Sequence, residues 1–165
     1  MKVGANHSGN HGKAWQSGRV LMVVVICFSW VCQAGAIETP YERSGGKKTP
    51  TYAETISWLK ALASASDILS FQAFGVSPQG RDLPLLVADL KGRFDSEQHR
   101  DRGDDVVLLV EACIHAGESC GKDAGMLLLR DLVRDEEMAR RLLDSTTLVF
   151  IPILNVDGHE RFGPY

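Results

Sequence analysis

Residues 105–130 read Asp105-Val-Val-Leu-Leu-Val-Glu-Ala-Cys-Ile-His-Ala-Gly-Glu-Ser-Cys-Gly-Lys-Asp-Ala-Gly-Met-Leu-Leu-Leu-Arg130, an apolar run, a polar loop and a second apolar run. Val106 to Cys113 is nearly all apolar, the pattern of a strand covered on both faces rather than on one. The next residues are polar and interrupted by glycine. Ala124 to Val133 then carries Met126, Leu127 and Leu128 on or near one side, as a helix packed on a core does. The side chains with chemistry to offer, His115, Glu118 and Lys122, fall in the loop between strand and helix, together with Gly121.

Downstream, Glu136 to Leu143 reads as a second short helix. Thr147 to Ile153 reads as another buried strand, which closes a βαβ unit with parallel strands. Asn155-Val-Asp-Gly158 ends it with a turn. Upstream, Ile68 to Phe74 alternates apolar and polar residues, Gly75 to Gly80 supplies turn residues, and Leu83 to Leu90 is a second strand, so a hairpin is expected. Pro84 places an edge or a strand end there. Lys91 to Asp104 is charged and without apolar pattern, which predicts a solvated loop. Thr51-Tyr-Ala-Glu54 is a capping box, and Ile56, Leu59 and Ala63 continue it as one amphipathic helix to about Ser64. Ile37 to Pro50 shows no periodicity and is expected to be an extended leader. The order helix, hairpin, strand, helix, strand predicts an α/β domain, a mixed sheet with helices on both faces.

A chain of 165 residues with 44% hydrophobic and 24% charged residues has room for one ordinary globular domain. Its net charge of −3 and scattered basic residues give no basic face, so nucleic acid is excluded as a partner. At the N-terminus Lys2, Lys13 and Arg19 precede an apolar run from Val20 to Cys32, followed by Ala34-Gly-Ala36. That is the pattern of a secretory signal peptide, residues 1–36, with cleavage after Ala36. The run is shorter than the roughly 20 apolar residues that span a bilayer, so a secreted or periplasmic chain without a stable membrane anchor is expected. Cys27 and Cys32 would leave with the signal. Cys113 and Cys120 remain, either bridged across the central loop in an oxidising compartment or present as two buried thiols.

The loop admits three readings. In open α/β sheets ligands bind beyond the carboxyl ends of strands, where His115 and Glu118 stand. Imidazole and carboxylate are both zinc ligands, and the spacing lets a single turn aim them at one point while Gly117 permits the tight path. Alternatively, Ala116 to Asp123 fits a loose phosphate-binding pattern. It fails at its last position, because Asp123 offers no hydroxyl to magnesium and Glu118 adds negative charge beside the phosphates. Thirdly, His115 and Glu118 are simply a satisfied histidine and a helix-start carboxylate in a non-catalytic binding or structural domain.

Asp105 to Gly125 resembles the first metal-binding segment of the carboxypeptidase A-like zinc metallocarboxypeptidases, in which a strand delivers H-x-x-E and a helix follows. Gly80-Arg81 between the hairpin strands and Asn155-Val-Asp-Gly158, similar to the family's N-P-D-G turn, extend the likeness over most of residues 52–161. The resemblance implies that His115 and Glu118 are two of three zinc ligands, with Asn155, Asp157 and Gly158 structural. It also implies Zn²⁺ as cofactor, C-termini of peptides or proteins as substrate, and hydrolysis by zinc-activated water. Gly117 stands where many digestive members carry arginine, and Val156 replaces the usual proline. The family's second histidine ligand, general-base glutamate and carboxylate-binding arginines lie further downstream, so the resemblance implies that these groups fall beyond Tyr165. Residues 51–165 are therefore expected to be the N-terminal part of a catalytic domain, incomplete at its C-terminus and inactive alone. His159 is expected in a surface loop, with His7, His11 and His99 solvated.

Overall fold

The computed structural model describes residues 38–100, 103 and 105–161. The apolar run 20–32, the cleavage pattern at 34–36, His7 and His11 lie outside the described residues. So does Tyr165, the point beyond which the general-base glutamate is expected.

Five helices and four strands follow one another in the described chain. They are α1 (Pro40–Arg43), α2 (Tyr52–Ser64), β1 (Leu69–Val76), β2 (Asp82–Ala88), β3 (Val106–Glu111), α3 (Cys120–Arg134), α4 (Glu136–Leu143), β4 (Thr146–Ile151) and α5 (Val156–His159). The sheet order is β1-β2-β4-β3. The β1–β2 hairpin and the β2–β4 pair are antiparallel, while β3 and β4 are parallel. This is the expected α/β domain with a mixed sheet, and α3 and α4 form the crossover of the βαβ unit.

Local chemistry explains the boundaries. Thr51 and Glu54 close the capping box that starts α2. Thr39 and Glu42 close a second one that starts α1, so the leader is not wholly extended; the same T-x-x-E spacing signals both. Pro84 lies in the part of β2 that pairs only with β1, since β4 reaches β2 from Leu86 to Ala88. Its missing N–H is therefore harmless.

Thr55, Trp58, Leu59 and Leu62 of α2, Met126, Leu129 and Leu132 of α3, and Ala139 and Leu143 of α4 are buried. All of these but Thr55 meet Leu69, Leu86, Ala88, Leu148 and Phe150 in one core. The registers Leu69↔Ala88, Leu86↔Phe150 and Ala88↔Leu148 put these strand residues on a single sheet face, which among the described residues carries all three longer helices. Gly125 is the point of closest approach: a Cβ there would lie 2.1 Å from Phe150 Cζ.

The opposite face is fastened by the segment after β2, expected to be a solvated loop. Asp89 is fully buried. It pairs with Arg93 at 2.8 Å, accepts the Lys91 N–H at 2.7 Å and accepts the Thr147 hydroxyl. Arg93 also reaches Asp105 at 2.7 Å, at the entry to β3. His99, expected in solvent, is half-buried with Nε2 against the Arg93 carbonyl at 3.0 Å. A charged sequence here conceals a buried ion-pair network, because each charge meets its opposite.

The strand β3 corrects a further expectation. Its apolar run predicts cover on both faces, yet it is an edge strand, and Val106 to Val110 are 38–56% exposed. An apolar run records a demand for cover, and the described residues do not meet it.

Candidate functional site

The three sequence motifs, distant in the chain, converge at the carboxyl ends of β3 and β4. After Glu111 the chain leaves the sheet, but its pairing with the segment after β4 continues. Leu154 N–H donates to the Ala112 carbonyl at 3.0 Å, and Asn155 N–H to the Cys113 carbonyl at 3.1 Å. Cys113 turns the chain outward with φ +50°, the left-handed region, and is the single non-glycine residue with positive φ among the described residues. That conformation costs an ordinary side chain roughly 1–2 kcal/mol. It is held in place by burial of Cys113 against Ile153 and Val156.

His115 and Glu118 follow on the exposed crest of this turn. The Glu118 N–H donates to the His115 carbonyl at 3.1 Å, and their side chains come together, Nδ1 to Oε2, at 3.0 Å. Both are well exposed, at 77% and 70%. Two donors each about 2.1 Å from one zinc stand about 3.0–3.4 Å apart at angles between a right angle and tetrahedral, so this pair has the spacing of a shared metal. Gly117 between them has open space where a Cβ would project. Among the described residues no group of three or more His, Cys, Asp or Glu side chains is disposed for a metal ion.

The Asn155–Gly158 turn grips the hairpin. Asp157 accepts hydrogen bonds from Ser77 Oγ at 2.9 Å, the Gln79 N–H at 3.1 Å and Arg81 Nη1 at 2.6 Å. Burial pushes its carboxyl up, but Ser77, Arg81 and Gln79 outweigh that and hold it below the usual carboxylate range. The Asn155 side chain accepts the Gly158 N–H at 2.9 Å. A Cβ at Gly158 would meet that same amide at 2.6 Å, so the turn needs glycine for close approach. The roles expected for Asn155, Asp157 and Gly158 thus have visible contacts, and Arg81 belongs with them.

His159 is not in a surface loop. It is 3% exposed, with Nε2 3.1 Å from Lys122 Nζ and Nδ1 3.0 Å from Glu160 Oε1. With both ring nitrogens engaged it is no candidate for a further metal ligand. Lys122 is completely buried and donates to the Pro50 carbonyl. An ammonium facing inward at the base of the loop cannot cradle phosphate, and buried Asp123 beside it would repel one, which removes the phosphate-loop reading. Cys113 and Cys120 are unbridged, the first buried and the second exposed, so neither a disulfide nor a pair of core thiols describes them. Sequence reasoning missed the inward lysine. Its one signal was position, since Lys122, Met126 and Leu129 share a helix face.

The family profile described as zinc carboxypeptidase (peptidase M14) matches residues 55–164. The inactive metallocarboxypeptidase ecm14 of Schizosaccharomyces pombe is 33% identical over 109 residues, covering 63% of this chain and 21% of that protein. Carboxypeptidase 2 of Trichophyton rubrum is 24% identical over 124 residues, covering 74% and 22%. Among solved structures, the carboxypeptidase A of Helicoverpa armigera superposes with a TM-score of 0.55 at 22% identity, over 68% of this chain and 26% of that one. The chain thus spans about a fifth of the length of these curated relatives and about a quarter of that structure.

Proposed function

Because the chain belongs to the zinc carboxypeptidase family, we propose that the protein is a zinc metallocarboxypeptidase, hydrolysing the C-terminal bond of peptides or proteins, with His115 and Glu118 as two of its metal ligands. The observation that carries this reading is the exposed pair of donors 3.0 Å apart at the carboxyl end of β3. Zinc held there would polarise a scissile carbonyl and make its bound water acidic. The chain's own contribution is placement. The His115 ring and the Glu118 carboxylate face each other across 3.0 Å, a contact that a bound metal would replace, and the Asp157 and Asn155 contacts fix the turn beneath them.

Zinc uptake by the purified chain tests the ligand assignment. Wild type is expected to bind zinc, weakly with two donors, and His115→Ala and Glu118→Ala to bind at least about 10-fold less tightly while keeping the same circular dichroism. Equal zinc affinity in all three proteins sinks it.

A second reading, a family member that binds metal but does not turn over peptides, is favoured by two observations. The Schizosaccharomyces relative carries the name inactive, and two donors rather than three are present among the described residues. Release of C-terminal residues from a peptide, measured on the same zinc-loaded protein, separates the two.

We also read residues 1–36 as an export signal, on the basic leader, apolar run and Ala34-Gly-Ala36. The protein is then secreted or periplasmic, and N-terminal sequencing of exported material is expected to begin at Ile37. A cell-associated protein that retains Met1 overturns this.

A further inference from the structure

The loop that carries His115 and Glu118 is held at both ends by the segment 154–160. At its front the Leu154 and Asn155 amides bond to Ala112 and Cys113. At its back, four residues beyond Glu118, Lys122 meets His159. We propose that Lys122 and His159 are positioning residues, a buried grip that sets the metal-binding loop against the turn after β4. Their relevance to metal rests on the ligand assignment above; the grip itself does not.

The hydrogen bonds define one working protonation state. A charged Lys122 can only donate, and one of its N–H groups already goes to the Pro50 carbonyl. Its contact with His159 Nε2 therefore needs that nitrogen as an acceptor. The imidazole is then neutral, with its proton on Nδ1 and donated to Glu160 Oε1. Glu160 Oε1 in turn accepts the Tyr52 N–H at 2.8 Å. The chain of contacts runs from α3 through α5 to the start of α2, and a second strand of it ties Thr49 Oγ1 to Asp123 Oδ1 at 3.1 Å.

Protonating His159 replaces the acceptor with a second donor, 3.1 Å from an ammonium. The charged groups around the pair set when this happens. Burial keeps the imidazole below its ordinary range, against the pull of Glu160, and the Lys122 charge adds to the lowering while Asp123 opposes it. Burial also lowers Lys122, opposed by Asp123, Cys113, Glu160 and Glu54. A depressed histidine contributes stability that is complete above its unfolded value, about 6.5, and is lost as pH falls toward the folded one. The grip therefore holds at neutral pH and loosens on acidification.

Amide hydrogen exchange and imidazole ¹⁵N shifts on the full chain between about pH 5 and 8 test this, with zinc affinity as a separate reading. Near neutral pH the wild type should show His159 as the Nδ1–H tautomer and slow exchange from Glu118 to Asp123. Lys122→Met should speed that exchange about 10-fold and weaken zinc binding about 10-fold. His159→Gln, whose amide oxygen can still accept from Lys122, should keep slow exchange and zinc binding and lose the acid-induced loosening. If Lys122→Met fails to fold, the wild-type titration and His159→Gln decide alone. A His159 charged or Nε2-protonated near neutral pH, or loop exchange that follows acid equally in wild type and His159→Gln, overturns the grip. Exchange that behaves as expected in a chain that takes up no zinc upholds the grip and overturns the ligand assignment instead.

Discussion

Gly125→Val is expected to destabilise the domain by about 3 kcal/mol or more. The magnitude follows from two opposing effects. Replacing a mid-helix glycine gains up to about 1 kcal/mol of helix propensity. Against this, a Cβ at 125 would sit 2.1, 2.6 and 2.8 Å from three carbons of the Phe150 ring. Phe150 is 2% exposed and pairs with Leu86 on one side and Val110 on the other, so its strand neighbours hem the ring in. Helix α3 must lift, and Met126 and Leu129 lift with it. Urea denaturation of Gly125→Ala and Gly125→Val reads the cost. Combining Gly125→Ala with Phe150→Leu should cost less than the sum of the two changes, since the shorter side chain vacates the clash. An unchanged midpoint for Gly125→Ala would show that α3 does not approach the sheet as described.

The second large effect is expected at Asp89. Removing one member of a buried ion pair costs about 3–5 kcal/mol, and Asp89→Asn is expected near the lower end of that range, because Arg93, itself only 14% exposed, keeps Asp105 as its second carboxylate. The same group gives an acid signature. Burial pushes its carboxyl up, but Arg93 and Thr147, with the Arg93 and Lys91 amides, outweigh burial and bring it from 3.8 down to about 2. A depressed carboxylate stabilises the fold above its unfolded value and loses that stabilisation as pH falls through the folded one. The wild type should therefore lose about 2 kcal/mol between roughly pH 4 and pH 2 from this residue. Asp105, Asp157, Glu42 and Glu54 are also lowered, so the diagnostic quantity is the difference between wild type and Asp89→Asn. That difference should shrink as pH falls across this window; a constant difference would remove the ion pair as its source.

These two residues mark what a sequence displays and what it withholds. Alternation exposed the hairpin, and apolar runs exposed β3 and β4, because side-chain period is a local property. The capping box at Thr51 and the bounds of α4 were legible for the same reason. His115 and Glu118 were legible as a pair because a single turn brings them together. Lys122, His159 and Asp89 were not. Each is a charged or titratable residue whose partner is distant, and nothing local distinguishes a lysine pointing inward from one in water. The joining of Arg81 to Asp157 was hidden likewise, although both residues belong to motifs already singled out. The exposure of β3 was hidden for a different reason, since composition reports affinity for cover and not its supply.

That strand has a consequence for how the molecule behaves in company. From Val106 to Val110 it carries no charge, proline or glycine, and on the side away from β4 its backbone N–H and C=O groups have no described strand beside them. Proteins usually blunt such an edge with an inward lysine, a bulge or a proline, because it is a template for any extended chain that passes. Here Asp105 and Glu111 stand only at its ends. Among the described residues, this short run of uncharged residues is where self-association would start. Leu109→Lys, on the face turned away from the helices, is expected to raise the concentration at which the chain precipitates.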